Sequence, residues 1–137
     1  MTLLEIKQHI MFQTGNDVDD LGDFLPHITN YINEGYDLLV SAWCGERVSP
    51  DSDNYPTLTN DKSQPETPEW THRAIADWAT WLIYRNGNAA KQQRGQYYRL
   101  SAESLFQQVR NMTNAQKGIE SVNEASKTAK YIYNIPR

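Results

Sequence analysis

The sequence predicts an all-α fold: a small helical bundle with a long polar loop between its second and third helices and an extended C-terminal arm. Three observations predict it. Apolar residues recur at three- and four-residue spacing in four separate stretches. Residues that start and stop helices stand at the ends of those stretches. The intervening stretch Glu46–Glu66 is instead rich in Ser, Asp, Asn, Thr and Pro.

The first helix is announced by Thr2 and Glu5, which have the spacing of a reciprocal cap, and by the stripe Leu3, Ile6, Ile10 and Met11. It should run about three turns and end before Gly15. The run GNDVDDLGD follows, with Asp17, Asp19, Asp20 and Asp23 among turn formers. Asp17, Asp19 and Gly22 match the first, third and sixth positions of a calcium loop, but Leu21 stands where an oxygen ligand is needed and Ile28 where the bidentate Glu belongs. These carboxylates therefore read as a turn that favours the positive start of the next helix.

The second helix is expected from near Leu21 or Pro26 to Trp43, with Leu25, Ile28, Ile32, Leu39 and Trp43 on one side and Tyr31, Leu38 and Ala42 beside them. Pro26 marks its first turn or a kink, and Gly45 ends it. Between Glu46 and Glu66, Pro50, Pro56 and Pro65 exclude a long helix or an interior strand. Val48, Tyr55 and Leu58 are the sizeable apolar residues of this loop, enough to pin it at one or two points. Loops this long either bind something or stay passive, which makes Asp51, Asp53 and Tyr55 candidate contact residues.

The stretch TPEWTHRAIADWATWLIYRNG, residues 67–87, organises the rest. Thr67 can cap a helix, Pro68 suits its first position and Glu69 the positive end of its dipole, so a helix is predicted from Pro68. Ile75, Trp78, Ala79 and Leu82 form its stripe, and Ala74, Trp81, Ile83 and Tyr84 widen it until little polar face is left. Such a helix packs on several sides. Three of the four tryptophans fall in this stretch and should dominate the core, with Gly87 as the stop. The expected core is Trp43, Ile75, Trp78, Leu82 and Leu105.

Asn88 is the expected cap of a fourth helix reaching about Met112, with Tyr98, Ala102, Leu105, Val109 and Met112 as its stripe and a short link making it antiparallel to the third. Gly95 in its interior marks a bend or a place where another chain comes close. Arg85, Lys91, Arg94 and Arg99 crowd the turn and its first half, with Tyr97 and Tyr98 among them. They read either as a solvated face or as a basic, aromatic surface for nucleic acid or an acidic protein. Residues 1–112 thus form the bundle and 113–137 a polar tail, in which Ile119 and Val122 support at most a weak helical turn. Tyr131, Ile132, Tyr133 and Ile135 form a short extended apolar end on that leash. It would fold back on its own bundle or anchor in another subunit. Another subunit is favoured because the main helices already supply a core.

A chain of 137 residues is one domain's worth. Cys44 is its one cysteine, so neither an internal disulfide nor a thiol metal cluster can form, which suits a reducing cytoplasm. The first residues lack the pattern of a signal peptide, and nowhere do 18 apolar residues run together, so a soluble, unexported protein without a membrane partner is expected. The net charge of −4 is uneven. Up to Glu69 there are three basic and thirteen acidic residues; from Trp70 to Met112 there are six basic and two acidic. Opposite halves suit attraction between copies, or one face that repels DNA while another meets an acidic partner, or solvated faces that merely happen to be segregated, and the pI near 5.3 argues against a DNA-binding regulator.

Catalytic groups are scattered. His9, His27 and His72 fall on three different elements, and Glu69 with His72 supplies one half of a carboxylate-bridged metal site without the other. No phosphate-cradling glycine loop is present. No catalytic, cofactor or metal site is expected.

Two stretches, DDLGDFLPHITNYINEGYDLL and TPEWTHRAIADWATWLIYRNGNAAKQQRGQYYRLSAESLFQQ, resemble the head–tail connector, or adaptor, proteins of tailed bacteriophages. The features that carry the resemblance are Tyr31, Ile32, Asn33, Gly35 and Tyr36; Pro68, Trp70, His72 and Ala74; Tyr84, Arg85 and Gly87; and Gln93, Arg94 and Gly95. The polar tail after Met112 departs from the family pattern. The resemblance implies a structural virion protein at the head–tail junction, made in the host cytoplasm. It would assemble as a ring on the portal protein, touch neighbouring copies and a tail or stopper protein, and let DNA pass without sequence-specific binding. It also implies that the loop and the C-terminal arm meet neighbours or the portal. Another tail-completion component, or a small helical DNA-binding or interaction module, is the alternative.

Overall fold

A computed structural model describes residues 1–15 and 25–118. The acidic run with Asp17, Asp19, Asp20 and Asp23, and the arm with Tyr131, Ile132, Tyr133 and Ile135, lie outside the described residues. The main helices are α1 (Leu3–Thr14), α2 (Ile28–Cys44), α3 (His72–Tyr84) and α4 (Ala89–Asn111). The predicted all-α bundle with a long loop between its second and third helices is the observed architecture. A further helical turn opens at Thr113, whose hydroxyl accepts from the Gln116 N–H while the Gln116 side chain accepts from the Thr113 N–H.

The caps of α1 and α4 follow the local rules. Thr2 accepts from the Glu5 N–H while Glu5 accepts from the Thr2 N–H, and Asn88 accepts from the Lys91 N–H at 3.0 Å. Gly45, at a φ of 71°, closes α2. Three expectations are corrected. A single 3₁₀ turn, Leu25–His27, precedes α2, and Leu25 is exposed. The helix predicted from Pro68 starts at His72, because Pro68 is extended (ψ 146°) and the Thr71 N–H bonds the Pro68 carbonyl, closing a 3₁₀ turn over Glu69–Thr71. At the other end α3 stops at Tyr84, and Gly87 has no positive φ.

Helix α3 is the centre. Gln13 near the end of α1 meets Asp77 and Thr80, and Tyr84 reaches Thr14, so α1 runs parallel to α3. Gly35 of α2 meets Ile75 and Trp78, and Gly95 of α4 meets Trp81 and Tyr84 while Phe106 meets Trp78, so α4 is antiparallel to α3. A Cβ on Gly95 would lie 2.8 Å from Trp81 Cε3 and 2.9 Å from Tyr84 Cβ. The close approach expected at Gly95 is thus to a helix of its own chain. A Cβ on Gly35 would stand 3.2 Å from the Ile75 carbonyl oxygen, so α2 also approaches α3 through a glycine.

This close enclosure decides what fills the core. Ala74, Ile75, Ala76, Ala79 and Leu82 are fully buried, as is Leu105 opposite them. The tryptophans do not dominate. Trp43, Trp70 and Trp78 are half-buried and pack against the core's edge, while Tyr36, at 1% exposure, is the largest side chain inside. The crossing of α3 and α4 admits the Trp81 ring only because Gly95 offers no Cβ there.

Because α3 is enclosed along most of its length, Asp77 and Thr80 are buried too, and only Arg73 near its start is exposed. The Asp77 carboxylate accepts from Gln13 Nε2 at 2.6 Å and from Ser101 Oγ at 2.9 Å, which ties α1 and α4 to α3. The Thr80 hydroxyl lies 2.6 Å from Gln13 Oε1 and 2.9 Å from the Ala76 carbonyl oxygen.

Two stability measurements check this packing. Gly95→Ala should destabilise by about 1–3 kcal/mol in urea unfolding, through overpacking against Trp81 and Tyr84. Helix propensity alone demands a gain of about 1 kcal/mol, and observing that gain would refute the close approach. Asp77→Ala should cost about 2–4 kcal/mol, since it strands the Gln13 amide and the Ser101 hydroxyl; a loss under about 0.5 kcal/mol, the size of an ordinary surface change, would remove the network from the account.

Candidate functional site

The helix directions sort the contact candidates to two ends of the bundle. At one end the start of α4 meets the ends of α1 and α3. A cleft of about 560 Å³ opens there, lined by Gln13, Thr14, Gly15, Tyr84, Arg94, Tyr97 and Tyr98. The Tyr84 and Tyr98 rings stack at 6.5 Å, and Tyr97 stands edge-on to Tyr98 at 5.3 Å. The Tyr98 hydroxyl donates to the Gln13 carbonyl at 3.2 Å. Burial, with the Asp77 charge and Tyr97 adding to it, pushes the Tyr98 phenol above its ordinary pKa.

Of the cleft's lining Tyr97 is 71% exposed, and on the same two helices Phe12 of α1 is 85% and Leu100 of α4 62% exposed. Arg94 in the lining and Arg85, which follows the lining residue Tyr84, are exposed. The four predicted cations are not equivalent. Arg99 is held within the fold, its guanidinium 5.5 Å from the Trp81 ring centroid and its Nε bonded to Glu103 at 3.0 Å. The Lys91 stem lies against Gly87. Arg94 and Arg85 are exposed on an aromatic, partly apolar face. Such a face can stack on a flat group and attract an anionic one.

The other end carries the long loop, which is pinned at far more than one or two points. The Asn33 side chain brackets Leu58, donating to its carbonyl at 3.0 Å and accepting from its N–H at 2.8 Å, and Leu58 itself is buried. The Tyr36 phenol oxygen accepts from the Glu66 N–H at 2.8 Å, and Ser41 accepts from Val48. The loop also reaches the start of α1. Leu3 and Leu4 donate to the carbonyls of Ser63 and Asp61, and Lys7 pairs with Asp61 at 3.2 Å.

Within the loop, Asp51 sits at a φ of 56°, a conformation Asp tolerates, and its carboxylate accepts from the Thr57 N–H. Asp53 is exposed. Tyr55 is half-buried and bridges to Ser52; its phenol is pushed up to about 12 by burial and by Cys44 beside it. The structure thus sets Asp51, Asp53 and Tyr55 at the end of the bundle opposite Arg85 and Arg94. Tyr131, Ile132, Tyr133 and Ile135 lie outside the described residues.

His72 is a buttress. It is buried at the start of α3, with Nε2 2.7 Å from the Thr67 carbonyl oxygen, so that nitrogen carries the proton. Its Nδ1 faces the Met1 nitrogen at 2.7 Å, beside Glu69. Among the described residues no group of three or more His, Cys, Asp or Glu is placed to hold a metal ion, and no helix is long and apolar enough to cross a membrane. Of the residues that position both ends, Gln13, Asp77 and Ser101 escaped sequence reasoning, and Asn33 and Tyr36 entered it only through the resemblance. Asn33 and Asp77 carried a faint signal, since short polar side chains inside helices have to be accounted for.

Comparison of the chain with protein-family models, with curated proteins and with solved structures gave no match.

The Tyr36 contact makes a pH prediction. Burial pushes this phenol up to about 12, with Glu66 and Asp37 adding to it against the opposing Glu66 N–H bond. A phenol whose folded pKa is raised stabilises the fold fully below its unfolded value near 10 and loses that contribution as pH rises through 12. Tyr36→Phe should be less stable by about 1–2 kcal/mol at pH 7, with the deficit shrinking above pH ~10 in urea titrations. A deficit unchanged between pH 7 and 11 would contradict the assignment.

Proposed function

We propose that this chain is a non-catalytic structural virion protein, a head–tail connector subunit that assembles as a ring on the portal and joins the DNA-filled head to the tail. The observation that carries the reading is the division of the bundle into two unlike ends, an aromatic and basic one around Arg94 and Tyr97 and a loop-covered one bearing Glu34, Glu46, Asp51 and Asp53. Unlike ends suit the head-to-tail contacts by which copies close a ring. The resemblance of residues 19–39 and 67–108 to connector proteins supports the same reading. So does the loop, which is fixed firmly enough by Asn33, Tyr36 and Lys7 to serve as a rigid contact surface.

The portal and neighbouring copies would be the first partners and a tail or stopper protein the next, with DNA passing through the ring unread. A second reading, a helical module that binds nucleic acid, is favoured by one observation, the exposed Tyr97 beside Arg94. Electron microscopy of lysates from a source phage or prophage lacking this gene separates them. Heads accumulating beside unattached tails are expected. Normally joined particles would overturn the connector reading, and a steeply salt-dependent DNA affinity of the purified chain would then favour the second.

A further inference from the structure

A second groove, of about 650 Å³, runs along the less buried side of α2, where the start of the loop and the last turn of α4 come together. It is lined by apolar Leu38 and Val48, by the carboxylates of Glu34, Asp37 and Glu46, and by Arg47 and Arg110. Among the described residues no ion pair joins these carboxylates to either arginine. Burial, and then the charges of Glu34 and Asp51, raise the Asp37 carboxyl above its ordinary value. Three carboxyl groups against two guanidinium groups leave the lining acidic on balance. An occupant that fits would bring apolar side chains flanked by cations.

The chain carries such a segment. Residues 127–137, KTAKYIYNIPR, set Lys127, Lys130 and Arg137 around Tyr131, Ile132, Tyr133 and Ile135. The described chain ends one residue after Lys117, whose ammonium lies 6.0 Å from the ring centroid of Trp43 in the last turn of α2. It therefore leaves the bundle at the end that carries the groove. Eight residues, 119–126, span up to about 26 Å when extended, more than the ~10–12 Å width of a helix, which is length enough to pass round α2. A short linker also gives the chain's own segment a local concentration in the millimolar range, which favours it over that of a second copy.

We propose that this groove seats the chain's own segment 127–137, its aromatic and aliphatic side chains against Leu38 and Val48 and its lysines toward Glu34, Asp37 and Glu46. The arm would then be held on its own subunit until a partner takes it. This goes beyond the connector reading and does not need it, because the test uses the isolated chain rather than particles.

The full-length chain, as a mixture of ordinary and ¹⁵N-labelled protein, is treated with a carbodiimide and its cross-linked peptides are read by mass spectrometry. Links from Lys127 or Lys130 to Glu34, Asp37 or Glu46 within chains of one isotope are expected. Their yield should fall about tenfold in the variant carrying Tyr131→Ser and Ile132→Ser, which keeps every lysine and leaves the bundle untouched. Absence of these links, equal yield in the variant, or links bridging the two isotopes would overturn the proposal; the last outcome would assign the groove to a neighbour's arm.

Discussion

The rest of the structure depends on the enclosure of α3. A helix with neighbours on three sides and a loop over its start can be satisfied only if each neighbour comes close, and close approach between helices needs small residues at the crossing. Gly35 and Gly95 provide it on two sides, and Ala74, Ala76 and Ala79 on α3 itself. Gly95 makes room for the Trp81 ring, while Trp43, Trp70 and Trp78 pack half-buried at the core's edge and Tyr36 fills the interior. The need for close approach explains why α4 tolerates a glycine in mid-helix at a cost of about 1 kcal/mol in propensity.

Enclosure has a polar consequence. A helix with a free face can turn Asp and Thr to water, whereas α3 has to satisfy Asp77 and Thr80 internally. Gln13 supplies both a donor and an acceptor, and Ser101 a donor, so one network links three helices. Apolar surfaces slide with little penalty. Directional bonds at 2.6–2.9 Å do not, and they fix the axial register of α1 and α4 against α3. The aromatic cleft inherits that register, because Gln13 and Thr14 form one wall and Tyr97 and Tyr98 the other.

The long loop is organised by the same logic from the outside. Its prolines withhold it from regular structure, so its backbone groups look to side chains for partners. Asn33, Tyr36 and Ser41 meet them from α2, and the loop in turn accepts the first N–H groups of α1, which no helix can satisfy for itself. The result is a capped, buttressed end facing away from the basic one, and this polarity gives the bundle two different surfaces to offer.

Much of this was legible in the sequence, for reasons that are local. The all-α class, the caps at Thr2 and Asn88, the stop at Gly45 and the burial of Ile75, Leu82 and Leu105 follow from periodicity and from chemistry acting within a few residues. The separation of acidic and basic stretches was equally plain. The sequence could not say that Arg99 is retained by Trp81 and Glu103 while Arg85 faces out, that Gly95 meets its own α3, or that the loop is clamped by Asn33. Apart from the i,i+4 contact of Arg99 with Glu103, each of these depends on a partner distant in sequence, such as Trp81 for Arg99 or Leu58, 25 residues from Asn33, and no local pattern encodes which partner arrives. Composition and spacing determined that this chain makes amphipathic helices of given lengths. Only the tertiary structure decided which helix is enclosed, and so which polar groups are spent on holding the bundle and which remain at its two ends.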